Sequence, residues 1–169
     1  MPVTFPELDE LLDGARRRAL HLELRDVYAD SAAFPAWKAG EPHDRGPADR
    51  QWHGLIAPLV ARGIDVRRLR VVSEPVTDYI RFEYEVTPAA NLAAGERVRW
   101  LPRSRASDLR FPGNDFWLVD DSMLFNLFSG DGEWTGVELI TDADVVKFCG
   151  SAFDAAWDRG VDHEVYRPA

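Results

Sequence analysis

Arginines recur at short spacing in two stretches of this chain: Arg67, Arg68 and Arg70, then Arg97, Arg99, Arg103 and Arg105. On a β-strand residues two apart share a face, so Arg68 and Arg70 point the same way. If the two stretches are neighbouring strands, Arg70, Arg103 and Arg105 converge at their C-terminal ends, where open α/β sheets hold ligands. Guanidinium groups gathered there would receive a small anion. Their plainer role is to pair with Glu74, Asp78 or Glu83 at the surface. Asp115 and Trp117, entering a strand from the Phe111–Asn114 loop, belong to the same expected crevice, and Trp117 is also ordinary core material.

Glu23, Arg25 and Asp26 set both charge signs beside Leu22 and Leu24, which suits either an internal ion-pair network or a docking edge for a partner protein. Asp115, Asp120, Asp121, Asp131, Glu133 and Glu138 could meet as a magnesium or acid–base site. However, Asp120-Asp121-Ser122 and Asp131-Gly132 fall where turns are expected, and Asp serves turns through its own hydrogen bonds. None of the four histidines (His21, His43, His53, His163) has another four residues on, and Cys149 is the single cysteine, so no zinc-ligand spacing exists. Neither glycine-rich phosphate loop nor a G-x-S-x-G elbow occurs. No catalytic residue, metal or cofactor is therefore assigned. The alternative is an enzyme of unrecognised type using carboxylates such as Asp115 and Asp121 with a nearby Arg.

These residues must be positioned by an α/β fold, with α+β as a variant. Thr4 and Glu7 have capping-box spacing, and Leu8, Leu11, Leu12, Ala15 and Ala19 follow at helical period, predicting a helix over 5–19. Leu20, Leu22 and Leu24 alternate as a strand, and a short helix is expected over 32–39. Gly40–Arg50, rich in Gly and Pro and lacking large apolar residues, reads as a linker. The expected division is an N-terminal subdomain (1–40), a linker (41–50) and an α/β core (51–169). Trp52, Ile56 and Leu59 predict a helix capped by Gly63, followed by a strand to Val72 that Pro75 stops. Residues 79–86 alternate like a strand and also share a helical face. The helix is preferred because parallel strands at 66–72 and 97–101 need a crossover. Strands at 115–119, 123–128 and 134–140 and a helix from a Thr141 cap to Gly160 complete the order, giving a mixed central sheet with flanking helices.

The chain has 169 residues, 46% hydrophobic and 29% charged, which suits one globular domain with a substantial core. The net charge of −9 is concentrated in Asp115–Ala169, while the first two thirds are close to balanced. An anionic surface disfavours direct nucleic-acid binding. The acidic third suits a basic partner or simply keeps the protein in solution. The N-terminus lacks a secretory pattern and no apolar run reaches membrane length, so a cytoplasmic protein without membrane contact is expected. Oligomeric state is left open.

The run Arg70-Val71-Val72-Ser73-Glu74-Pro75-Val76-Thr77-Asp78-Tyr79, the Ala94-Gly95-Glu96 step, Trp100-Leu101-Pro102-Arg103, Asp115-Phe116-Trp117-Leu118-Val119-Asp120-Asp121 and Leu22-Glu23-Leu24-Arg25-Asp26-Val27-Tyr28 resemble an uncharacterised actinomycete family whose members are often encoded near helix-turn-helix regulators. The resemblance spans nearly the whole chain and implies an accessory, regulatory role beside such a regulator. It supplies no catalytic residues. From Trp52 to Gly160 the element order is similar to one half of a phospholipase D-like domain. Active members carry H-x-K, whereas here the residues two beyond each His are Glu23, Arg45, Leu55 and Val165. That resemblance implies a degenerate domain without phosphodiesterase activity. The expected function is a non-catalytic binding or regulatory protein that engages a helix-turn-helix regulator and senses a small anion at the strand ends.

Overall fold

The computed structural model describes residues 4–29 and 33–169. In chain order the elements are α1 (Pro6–Asp13), β1 (Arg18–Glu23), α2 (Ala33–Lys38), α3 (Gly46–Ala61), β2 (Asp65–Val72), α4 (Asp78–Thr87), β3 (Arg97–Pro102), β4 (Phe116–Val119), β5 (Ser122–Phe128), β6 (Trp134–Ile140), α5 (Ala143–Arg159) and β7 (Val161–Asp162). A π-helical turn (Pro88–Leu92) extends α4, and a 3-10 turn (Arg103–Arg105) follows β3. The strands form one mixed sheet in the order β6-β5-β4-β1-β2-β3-β7. β1, β2 and β3 are parallel, and β4 to β6 and β7 run antiparallel to their neighbours.

Strand alternation assigns the two faces. Ala19, Val66, Trp117, Val119 and Leu124 pack against α1 and α3 through Leu8, Leu12, Trp52, Ile56 and Leu59. Leu20, Leu22, Leu69, Val71, Phe116 and Leu118 pack on the other face against Cys149, Phe153, Ala156 and Trp157 of α5. Both faces are covered, which is why β4 is apolar throughout and β1 and β2 are buried along most of their length.

The helix preferred for 79–86 forms, capped by Thr77 Oγ1 accepting from Ile80 N at 3.1 Å, and it makes the crossover between parallel β2 and β3. α3 ends as its Gly63 predicts. Gly63 takes φ +81°, its N–H reaches Val60 O at 2.9 Å, and Ile64 N reaches Leu59 O at 3.1 Å, the paired bonds of a Schellman cap.

Several boundaries differ from expectation. The first helix stops at Asp13 instead of continuing to Ala19. The carboxylate of Asp120 accepts the N–H groups of Arg16, Arg17 and Arg18 at 2.8, 2.9 and 3.1 Å, donors taken from across the sheet and lost to any helix. No capping box closes at Thr4, whose hydroxyl donates to Asp9 instead. The second half of the expected linker is the first turn of α3, because Pro47 is tolerated at a helix start where its missing N–H costs nothing. The last helix is capped by Asp142, not Thr141: its Oδ1 accepts from Asp144 N and Val145 N. Part of the helix expected at 32–39 lies outside the described residues. β1 sits between β2 and β4 at the centre of the sheet, so residues before and after the linker share one sheet and one core.

Candidate functional site

The register of β1 against β2 sets His21 beside Arg68 and Glu23 beside Arg70, and β4 sets Trp117 on the other side of His21. Alternation points all five side chains to the face covered by α3 and α4, a polar row within an apolar sheet. Burial there demands partners. Glu23 lies between the two arginines: Arg68 Nη1 donates to its Oε1, and Arg70 Nε donates to its Oε2 at 2.6 Å. Arg70 also donates to Thr87 Oγ1 at 2.7 Å and Glu83 Oε2 at 2.8 Å. Arg68 Nε donates to Glu96 Oε1 at 2.8 Å, and Trp52 Nε1 and Asn91 Nδ2 donate to Glu96 Oε2 at 3.1 and 2.6 Å.

Burial acts to raise the Glu23 pKa, but Arg70 and Arg68 outweigh it and hold the carboxyl well below the usual glutamate range. Burial likewise opposes the charge on Arg68, and Glu96 and Glu23 more than restore it. His21 goes the other way: burial, then the Arg68 charge, push it well below its ordinary value, so the imidazole is neutral near pH 7. It stacks on Trp117 with ring centroids 4.2 Å apart and planes 18° off parallel. Neither His21 ring nitrogen has a hydrogen-bond partner among the described residues. Its Nδ1 stands 3.6 Å from Glu23 Oε1, too far for a hydrogen bond.

Above this row is a cavity of about 400 Å³. His21, Glu23, Arg68, Arg70 and Trp117 form its floor, and Tyr28, Arg45, Asp49, Trp52, Tyr79 and Glu83 belong to its walls. Among the described residues no three His, Cys, Asp or Glu side chains are grouped to hold a metal ion.

Of the sequence-derived candidates, Arg70 and Trp117 reach the cavity floor, Asp115 and Arg103 meet on the Leu24 backbone at the end of β1, and Arg105 stands apart. Every Arg70 nitrogen is engaged. Asp115 is 2% exposed and stands behind the cavity wall, accepting from Leu24 N at 2.9 Å and from the Tyr28 hydroxyl. Burial raises its pKa to about 6, against the lowering effect of those hydrogen bonds. Arg103 does not enter the cavity. It donates to Leu24 O at 2.6 Å, Val71 O at 3.1 Å and Ser73 Oγ at 3.1 Å, tying the ends of β1 and β2 together. Arg105 is exposed on the turn after β3, away from the cavity lining. The carboxylates of the alternative enzyme reading do not converge, because Asp115 and Asp121 flank opposite ends of β4, and Asp121 pairs with Arg17 at the surface.

Glu23 is no docking edge. It is 8% exposed on a strand paired on both sides, and of the two roles open to it the internal network is the one it fills. Arg25 lies over the Phe128 ring at 4.7 Å, and Asp26 accepts from Ser73 N and Oγ at 2.7 and 2.6 Å. The site residues that the sequence did not single out are His21, Trp52, Asn91 and Glu96, whereas Glu83 does pair with Arg70 as expected of it, though inside the site. A usable signal existed: His21-Leu22-Glu23 and Arg68-Leu69-Arg70 are both polar pairs two apart, inside strands too apolar to be solvent-facing.

Residues 6–168 match a single domain family. The chain belongs to DUF6879, a domain of unknown function. No curated protein matches this DUF6879 chain. Among solved structures it is similar to Nuc, a phospholipase D family member from Salmonella typhimurium, at 13% identity over 94% of this chain and 88% of that one, with TM-score 0.51. It is similar to NucT from Helicobacter pylori at 10% identity over 92% and 88%, also with TM-score 0.51. TrmBL2, an archaeal chromatin protein that binds DNA, gives 16% identity and TM-score 0.48, and the DUF6879 chain covers 91% of itself but spans only 48% of that protein. The fold is thus phospholipase D-like, and the likeness covers more of the chain than 52–160. At these identities it speaks for architecture alone. No helix among the described residues is long and apolar enough to cross a membrane.

Proposed function

We propose that this DUF6879 protein is a non-catalytic regulatory module that binds a small molecule in the cavity over β1, β2 and β4 and relays occupancy to a partner. The observation that carries this reading is the buried, unpartnered His21 in the floor of a cavity where Glu23 is held between Arg68 and Arg70. Concave sites with a few placed polar groups on a rigid sheet are the usual form of ligand pockets. The carboxylates on the floor are engaged by arginines, which leaves them as scaffold in place of free bases. The partner in this reading is a helix-turn-helix transcription regulator, on the strength of the sequence resemblance, and the protein acts in the cytoplasm of an actinomycete. The small anion expected at the strand ends is replaced by a ligand over the middle of the sheet, because Arg70 and Arg103 are engaged within the protein and Arg105 stands apart on the exposed turn after β3.

The test is a thermal-shift screen of small metabolites against wild type and His21→Phe, which keeps a ring on Trp117 but removes both nitrogens. A ligand at about 100 times its Kd stabilises the native state by about 2.7 kcal/mol. Compounds that stabilise wild type and not the variant support the reading. A screen in which every stabiliser acts equally on both proteins overturns it.

A further inference from the structure

We propose that the cavity takes a flat ligand that presents an acceptor oxygen, from a carbonyl or a carboxylate, to Nη2 of Arg68. This rests on the cavity being the ligand site and adds the chemical class of its occupant.

Arg68 is 6% exposed and lines the cavity. Two of its three guanidinium nitrogens are spent, Nε on Glu96 Oε1 at 2.8 Å and Nη1 on Glu23 Oε1. Nη2 donates to no described residue. The unpartnered nitrogens of His21 and the Nε of Arg45 are sealed from solvent, whereas Arg68 Nη2 is not. The floor therefore holds one amino group, with two N–H donors, that an occupant of the cavity can satisfy. A guanidinium is charged at every accessible pH and has no lone pair to offer, so whatever meets it must bring an acceptor.

The donor is held in place before any ligand arrives. Glu96 and Glu23 fix the guanidinium from two sides, and its Cζ stands 5.3 Å from the Trp52 ring centre and 5.6 Å from that of Trp117. A group so constrained loses little freedom when it bonds a ligand. The same two rings line the cavity, with centroids 5.8 Å apart and planes at 49°, and Tyr28 and Tyr79 join them as apolar wall for a flat body.

What the floor selects is hydrogen-bonding polarity, not charge. A carboxylate gains a stronger bond to Arg68 but faces Glu23 and Glu83; a neutral carbonyl gains less and meets less repulsion. A cation finds Asp44 in the lining, which among the described residues accepts only from Gly46 N, at 2.8 Å. Either sign of charge can enter, but a group with donors alone leaves Nη2 unanswered.

The experiment uses three probes of nearly the same shape: benzamide and benzoate, which carry an acceptor oxygen, and benzamidine, which carries only N–H donors. Each is titrated into the full chain labelled with 15N and 13C, and the Arg68 guanidinium signals are assigned through bonds from its backbone. Benzamide or benzoate is expected to move the Nη2 protons downfield, at a concentration at least about tenfold below that at which benzamidine perturbs them. Which of the two acts more strongly separates a neutral carbonyl source from an anionic one. Ala48→Trp fills the cavity from α3 and leaves Arg68 in place, so it should abolish the shift, with a thermal melt to check folding. If that variant does not fold, magnetisation transfer between the probe and the Trp52 and Trp117 rings locates the probe in wild type. Benzamidine moving the Arg68 signals as readily as the others overturns the acceptor requirement and leaves the cavity as a ligand site. Shifts that persist in Ala48→Trp, or a probe bound away from both rings, overturn the inference. It fails also if no probe moves the Arg68 signals, and the small-molecule screen against His21→Phe then decides the cavity reading separately.

Discussion

Glu23→Gln removes the central charge of the buried row while nearly keeping its shape. Glu23 is held by two guanidiniums, one at 2.6 Å and the other closer, at 8% exposure. Breaking a buried pair from one side costs about 3–5 kcal/mol because it strands the remaining charge. Here each arginine keeps a second carboxylate at 2.8 Å, Arg68 on Glu96 and Arg70 on Glu83, and Gln keeps one acceptor oxygen. The low end, about 3 kcal/mol at pH 7, is therefore expected. For a chain of this size that corresponds to a Tm lower by roughly 6–12 °C. The pH dependence has a definite sign. The folded-state pKa of Glu23 is depressed, so its contribution is complete above the unfolded glutamate value of about 4.3 and disappears as pH falls through the folded value. Thermal or urea unfolding of both proteins from pH 7 downward measures this. The gap should be constant from pH 7 to about 5 and close at lower pH. A variant within about 2 °C of wild type at pH 7, or a gap that widens on acidification, would refute the network as drawn.

Three other outcomes are expected. Asp115 has its pKa raised to about 6 by burial, so wild-type stability should fall by roughly 2–3 kcal/mol as pH rises from about 4 to 6, and Asp115→Asn should lack this decline in urea unfolding; parallel pH profiles would count against it. Asp120→Ala strips three backbone N–H groups of their acceptor at a residue with φ +53°, and should cost about 2 kcal/mol, whereas Asp120→Asn, which keeps an acceptor and tolerates that backbone, should cost less in the same assay. Burial pushes the Cys149 thiol up to about 11, so it should resist alkylation at pH 8 in the native protein and react promptly in denaturant; rapid native labelling would contradict its place on the sheet-facing side of α5.

Elements whose apolar residues follow one period over their whole length were legible from local pattern: α3 to its Gly63 cap, β2, α4 once the crossover argument chose helix over strand, and the hairpin of β4 and β5. The misjudged ends, at Ala15–Arg17 and Gly46–Arg50, are places where a distant carboxylate or the particular tolerance of a first helical turn for Pro decides what the chain does. The site was half legible. The shared face of Arg68 and Arg70 follows from strand alternation alone, and β2 and β3 do lie side by side with Arg103 and Asp115 both bound to the Leu24 backbone at the end of β1, but neither lines the cavity and Arg105 is exposed on the turn after β3.

Periodicity, turn residues and charge balance, all properties of neighbours along the chain, were enough to establish an α/β protein with a mixed sheet, its element order, and the absence of familiar reactive motifs. Which strand lies beside which is a long-range matter. Only the tertiary structure put His21 between Trp117 and Arg68 and Glu23 beside Arg70, and only burial under α3 and α4 turned a polar strand face into a charge-matched cavity floor with one neutral imidazole left unpartnered. Hydrogen bonding and burial depend on what closes over a side chain, and no local window of sequence contains that information.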